Sequence, residues 1–286
     1  MKKLGIVIDS FSGLTEKEAK KNGLHYLSLQ IILDNKLYKE GKDFNSFEDA
    51  MKMVDKAKDK KTSQPNPADI EKLFKEIKDK YEKIIYICIG SKMSSAFSTA
   101  SIIAKELGDK FKVVDNSLSG PAYLKASKYI LEEVNAGRNL DDVLLEVKKW
   151  EKSNTHTWIL PENIEQIQKG GRIKKGSKFL LSKLSIIPMI KYVDGSPEVR
   201  GIRRGFAKSV TTIIKRIIES IGEKNINDYE FHLIHTTKEN TKNIAIKKLN
   251  DAGIHDFKIS VSCIANGIQC GIGAISISAY KKEIKK

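Results

Sequence analysis

The sequence predicts a two-domain α/β protein, on three observations. The continuous apolar run Ile84-Ile85-Tyr86-Ile87-Cys88-Ile89 reads as a strand buried on both faces, and Phe97, Ala100, Ile103, Ala104 and Leu107 follow it at helical spacing. Strand-then-helix pairs of this kind recur up to about residue 150, the pattern of right-handed βαβ units on a parallel sheet. Around residue 154 the alternation loses its regularity, which divides the chain into a parallel α/β domain over 1–154 and a C-terminal α/β domain over 155–286. The 286 residues suffice for two real cores.

Leu4–Ile8 is the first strand, followed by the polar loop Asp9-Ser10-Phe11-Ser12-Gly13 and a short helix entered at Thr15. Tyr26–Leu33 reads as one second strand, closed by the turn Asp34-Asn35-Lys36, and Phe47–Val54 as a helix. Lys61-Thr62-Ser63-Gln64-Pro65-Asn66-Pro67 reads as a rigid non-helical loop with exposed hydroxyls, leading into a helix over 68–81. After the apolar run and its helix come the strand Phe111–Asp115, the loop Asn116–Gly120, a helix over 121–136 stopped by Gly137, and a helix capped by Asn139 that runs to about Trp150. Parallel alternation gathers the loops after Ile8, Ile89 and Val114 at one sheet edge, where ligands collect in open α/β sheets.

In the second half, 162–169 reads as a helix stopped by Gly170-Gly171. Ile186–Val193 is a strand whose Pro188 implies an edge or a bulge, and Asp194-Gly195 is a turn. Then follow a helix over 207–221, a strand over 230–235, a helix over 239–252 and a strand over 257–263. The last strand, 273–280, alternates as though one side were solvated or faced a lumen.

The stretch Gly90-Ser91-Lys92-Met93-Ser94-Ser95-Ala96 turns from strand into helix through small hydroxyl residues. Either Ser94 and Ser95 cap the helix, or they and the free N–H groups at its positive end receive one anionic headgroup. No G-x-S-x-G elbow, HExxH or dinucleotide fingerprint is present, and Gly171–Lys178 carries the Lys and Ser of a phosphate-binding loop in the wrong order. The chain is equipped to hold a headgroup rather than to react with it.

Three cysteines, none in a CxxC pair, fit a reducing, cytoplasmic setting, and the scattered histidines predict no metal site. No segment approaches the roughly 20 apolar residues of a membrane span. The leading apolar run ends at Asp9, too short for a secretory core. The net charge of +15 is uneven: 169–216 holds 13 Lys/Arg against Asp194 and Glu198, a local 13 − 2 = +11 that suggests an anionic partner. One reading of that segment is a nucleic-acid-associated regulator. Phe179, Tyr192 and Phe206 are its only aromatics and it holds no reader motif, so no specific nucleic acid is expected.

Asp9-Ser10, Lys61-Thr62-Ser63-Gln64-Pro65, Ser91-Lys92-Met93-Ser94, Val114-Asp115, Lys169-Gly170-Gly171-Arg172-Ile173, Ile187-Pro188, Asp194-Gly195, Val199-Arg200 and Gly271-Ile272-Gly273 occur in order along the chain. Carrying them, the sequence resembles the DegV family, the fatty-acid-binding subunits of bacterial fatty acid kinase. The resemblance implies two α/β domains of DegV type with one long-chain fatty acid, such as palmitate, stearate or oleate, buried in a tunnel between them, and no other cofactor. It implies that Thr62 and Ser94, with Ser63, Ser95 and Gln269 beside them, hold the carboxylate. Asp9, Ser10, Ser91, Phe97, Ser119, Gly120, Ile187 and Gly271 would line the pocket. An ATP-binding kinase partner would phosphorylate the bound acid for phospholipid synthesis, the chain itself being no enzyme. Arg172, Arg200, Arg203 and Arg204 would dock that kinase or touch anionic membrane during loading. This sequence departs from the family at Ser95-Ala96, where the family has Gly-Thr, and at Gln269, where it has histidine. The amide of Gln269 can donate to a carboxylate but carries no charge.

Overall fold

The structure is a computed structural model and describes residues 1–162, 167, 171–173 and 186–284. The helix expected over 162–169 and the basic stretch 174–185 lie outside the described residues, apart from Glu162 and Ile167. The chain divides into two units, one of Met1–Glu151 with Cys263–Ala265, the other of Lys152–Ser262 with 266–284.

In the first unit the β-branched runs form a four-stranded, fully parallel sheet. Its strands are β1 (Lys2–Asp9), β2 (His25–Leu27), β6 (Tyr81–Cys88) and β7 (Phe111–Asp115), in the order β2-β1-β6-β7. The single strand expected over 26–33 is two. After Leu27 the chain leaves this sheet at buried Ser28 and enters a second, antiparallel one. That sheet has the order β4-β3-β5, from β3 (Gln30–Leu33), β4 (Lys36–Lys39) and β5 (Lys60–Ser63). The β3–β4 hairpin turns through Asp34 (φ 46°) and Asn35 (φ 65°), the two positive-φ residues a tight twisted hairpin requires. Thr62 and Ser63 are thus on a strand rather than in a loop. Ladder bonds to Ile31 and Gln30 recruit a stretch that local patterning leaves irregular.

The helices of this unit are α1 (Glu16–Lys21), α2 (Phe47–Lys56), α3 (Pro67–Ile77), α4 (Ala96–Leu107), α5 (Ala122–Asn135) and α6 (Leu140–Asn154). Thr15 closes a capping box with Glu18 on α1, Ser46 caps α2 and Asn66 caps α3 just ahead of Pro67. The third helix ends four residues earlier than expected because Tyr81 already pairs with Lys2 in the sheet. Ile70, Phe74, Ile77, Ala100 and Ala104 pack with Val7, Ile84, Tyr86 and Phe111 in one core.

The second unit carries a six-stranded sheet in the order β10-β9-β8-β13-β11-β12. Its strands are β8 (Thr155–Leu160), β9 (Ile186–Val193), β10 (Ser196–Arg204), β11 (Tyr229–His235), β12 (Phe257–Val261) and β13 (Ile275–Lys281). All neighbours are antiparallel except β11 and β12. Pro188 lies beyond the end of the β8 pairing, opposite a bulge between Val199 and Ile202 of β10, so it interrupts no two-sided ladder. The last strand, read as solvated or lumen-facing on one side, instead lies largely buried. β13 is central, and Ser278 is fully buried with its hydroxyl 3.0 Å from that of Thr157. Helix α7 (Phe206–Ile221) presents Val210, Ile213, Ile214, Ile217 and Ile221 to this core. At ~2 kcal/mol per buried aliphatic side chain, that stripe contributes on the order of 10 kcal/mol gross. Helices α8 (Glu239–Asp251) and α9 (Ile264–Cys270) complete the unit. The latter is a helix the sequence reading did not predict, and its first two residues, Ile264 and Ala265, belong to the first unit.

Candidate functional site

At the C-terminal edge of the parallel sheet, Asp9 acts as an internal bracket. Its Oδ2 accepts from the Ile89 N–H (2.7 Å) and the Tyr86 hydroxyl (3.0 Å), and its Oδ1 from the Phe11 N–H (3.1 Å). The loops after β1 and β6 are thereby held together. Complete burial pushes the Asp9 carboxyl up to about 6, against the pull of those three donors. Ser10 extends the bracket, accepting from the Leu29 N–H at 3.0 Å and donating to Glu40 Oε2 at 2.8 Å.

Glu40 is a residue that sequence reasoning missed. It is buried, and its Oε1 accepts from the N–H groups of Ile264 and Ala265, the latter at 3.2 Å. Burial, reinforced by the neighbouring Asp9 charge, pushes it up to about 7, with the three hydrogen bonds opposing. No local signal marks it, since a Glu-Gly pair after a strand reads as an ordinary solvated turn.

Two hydroxyl-bearing segments of the same unit meet at Gln64. Gln64, also missed, accepts at Oε1 from Ser95 Oγ (2.9 Å) and Thr99 Oγ1 (3.0 Å), while its own carbonyl accepts from Gln30 Nε2 (2.8 Å). It ties the strand that carries Thr62 and Ser63 to the first turn of α4. Ser94 Oγ caps that turn, accepting from the Ala96 N–H at 3.2 Å, whereas Ser95 does not cap. Thr62, Ser63 and Ser94 are half-buried and Ser95 is exposed.

The remaining loops join the same edge. Ser91 donates through its N–H and hydroxyl to Asp115 (2.8 and 2.7 Å), and Asn116 donates to the Cys88 carbonyl while accepting from the Leu118 N–H. Ser119 and Gly120 are half-buried in the turn into α5, with Gly120 at φ 52°. Phe97 packs partly buried against the core.

Within the second unit, Gln269 lies half-buried near the end of α9, and buried Gly271 follows at φ 95°, a conformation that favours glycine. Burial pushes the Cys270 thiol up to about 12, so it stays protonated at neutral pH. Ile187 packs half-buried against the core under α7. Arg200, Arg203 and Arg204 lie exposed along β10, the outermost described strand on its side, and Arg172 is half-buried. Arg200 pairs with Glu198, and its carbonyl accepts from Arg216 Nη1 at 2.7 Å, whose guanidinium lies 5.2 Å from the centre of the Trp158 ring. Among the described residues no group of three or more His, Cys, Asp or Glu is placed to hold a metal, and no helix is long and apolar enough to cross a membrane.

The family model described as "Uncharacterised protein, DegV family" matches residues 3–282. A DegV domain-containing protein of Mycoplasmopsis pulmonis is 28% identical over 281 residues, covering 98% of this chain and 96% of its own. The fold is similar to that of the fatty acid binding DegV family protein of Streptococcus agalactiae, with a TM-score of 0.87 at 20% identity over 99% of this chain and 100% of the other. It is also similar to a DegV family protein of Thermus thermophilus described for fatty acid binding, with a TM-score of 0.84 at 20% identity over 98% and 99% of the two chains. By its sequence over nearly its whole length, the chain belongs to the DegV family.

Proposed function

We propose that this protein binds one long-chain fatty acid, with the hydroxyls of Thr62 and Ser94 receiving the carboxylate and the amide of Gln269 as a further donor. The observation that carries the reading is the Gln64 tie, which brings the Thr62–Ser63 strand and the Ser94–Ser95 turn together at one sheet edge. The similarity to DegV proteins described as binding fatty acids supports the choice of ligand. Energetics suit a lipid. Burying ~15 methylenes is worth roughly 12 kcal/mol gross. Hydrogen bonds to a charged headgroup, at ~1.5–3 kcal/mol each, mainly replace lost hydration. The tail supplies affinity and the hydroxyls supply register.

The chain then acts as a carrier. It offers the acid to an ATP-dependent kinase that forms the acyl phosphate, and Arg200, Arg203 and Arg204 dock that partner. The exposure of all three on one strand supports this role.

Native mass spectrometry of the purified protein, followed by extraction and fatty-acid analysis, tests the binding. A stoichiometric adduct of fatty-acid mass, lost in the Thr62→Ala/Ser94→Ala double variant, is the expected result. An apo mass with no uptake of added palmitate or oleate would remove the function and leave the fold. Docking is tested by pull-down of the kinase with Arg200, Arg203 and Arg204 all changed to Glu. Capture should fall while the lipid stays bound, and unchanged capture would sink the docking role.

A further inference from the structure

The loop that follows Gln269 is gripped by a residue far away in the chain. The Glu162 N–H donates to the Cys270 carbonyl at 3.0 Å, at the end of α9 where carbonyls have no partner within the helix. Glu162 Oε2 accepts from the Gly273 N–H at 2.8 Å, and Oε1 accepts from Lys238 Nζ at 2.8 Å. Lys238 is bound to the same loop, its N–H and that of Thr237 each donating to the Ile272 carbonyl at 3.2 Å. Thr236 adds its hydroxyl to the carbonyls of Ile272 and Ala274.

Gly273 shows how close this grip is. A Cβ there would lie 2.8 Å from Glu162 Cδ and Oε1 and 3.0 Å from Lys238 Cδ. Its φ lies outside the left-handed range, so the near approach of the carboxylate, rather than backbone conformation, calls for glycine. A helix of seven residues cannot hold itself in place, so its orientation depends on what fastens its ends.

We infer that Glu162 is a positioning residue for the headgroup end of the lipid site: it fastens the 270–273 loop and so sets where Gln269 presents its amide. This rests on the proposed fatty-acid function, in which Gln269 meets the carboxylate. Glu162 acts through the loop and touches no ligand.

Binding of palmitate and of hexadecanol, which has the same chain length without the carboxylate, separates positioning from mere stability. Glu162→Ala should weaken palmitate about tenfold, the worth of one hydrogen bond to a charged group, and leave hexadecanol within about twofold. Glu162→Gln should recover most of the loss, because its amide oxygen still accepts from Gly273. In a Gln269→Ala background, Glu162→Ala should add nothing. Equal weakening of both ligands, or full additivity with Gln269→Ala, would overturn the inference and leave the function standing. A wild-type protein that binds neither ligand, or prefers neither, would overturn both. Should Glu162→Ala fail to fold, Lys238→Met carries the same test. A two- to threefold loss for palmitate alone is expected, and no selective loss would count against the inference.

Discussion

Asp9 in the first unit and Glu162 in the second each hold a loop, and they do so in opposite electrostatic settings. Asp9, with Glu40 behind it, is completely enclosed, and among the described residues neither meets a lysine or arginine. Each is held by three neutral donors, and each is pushed upward by burial to about 6 and about 7. Glu162 is partly exposed and answers a half-exposed lysine. A buried carboxylate without a cation relies on backbone N–H groups and hydroxyls, whose removal leaves them unsatisfied in a low dielectric. An exposed ion pair trades most of its Coulomb gain against solvent. The first arrangement makes a stiff base for the sheet edge. The second makes a grip that can be tuned without unfolding the unit.

The sharpest way to break this contrast is Asp9→Ala. It strands the Ile89 and Phe11 N–H groups and the Tyr86 hydroxyl in the core, and should cost about 4 kcal/mol or prevent folding. Urea unfolding measures it, and a loss under 1 kcal/mol would show that the bracket is not structural.

Glu40→Gln should do the reverse at alkaline pH. Its folded value of about 7 lies above the ordinary 4.5, so the native state keeps a proton that the unfolded chain gives up. That contribution is present at acid pH and lost as pH rises through 7. The variant should therefore exceed wild type by up to about 3 kcal/mol at pH 8, with the difference vanishing below about pH 5. Unfolding curves across that range check it, and a pH-independent difference would refute the titration of Glu40.

In the second unit, Gly273→Ala should cost about 2 kcal/mol, because both neighbouring side chains are pinned by their mutual bond. A thermal shift within a degree of wild type would show that the grip yields freely. Lys238→Met should have the smallest effect, under about 1 kcal/mol and fading in high salt, as befits an exposed pair. A salt-insensitive loss of several kcal/mol would erase the distinction between the two carboxylates.

The sheet edge was legible in advance for a local reason. Parallel alternation places the loops after Ile8, Ile89 and Val114 side by side, and the structure joins them through Asp9, Ser91, Asp115 and Asn116. The strand at Thr62 was not legible, because Lys60–Ser63 becomes a strand only by pairing with Gln30–Leu33 some thirty residues earlier. The last strand misled for a related reason. Its alternating serines fit a solvated face, yet a central position in the sheet buries Ser278 against Thr157.

Composition and periodicity by themselves determined the α/β class, most helices, the caps at Thr15 and Asn139, and the turns at Asp34-Asn35 and Asp194-Gly195, while the resemblance of the ordered motifs pointed to the family. These depend on neighbours within a turn or two, which is the range over which side-chain spacing acts. Only the tertiary structure decided what Glu40, Gln64 and Glu162 do. Their partners lie 30 to 225, 31 to 35, and 76 to 111 residues away along the chain. A glutamate in a turn has the same local signature whether it meets water or a buried N–H, and the difference arises when folding removes the water.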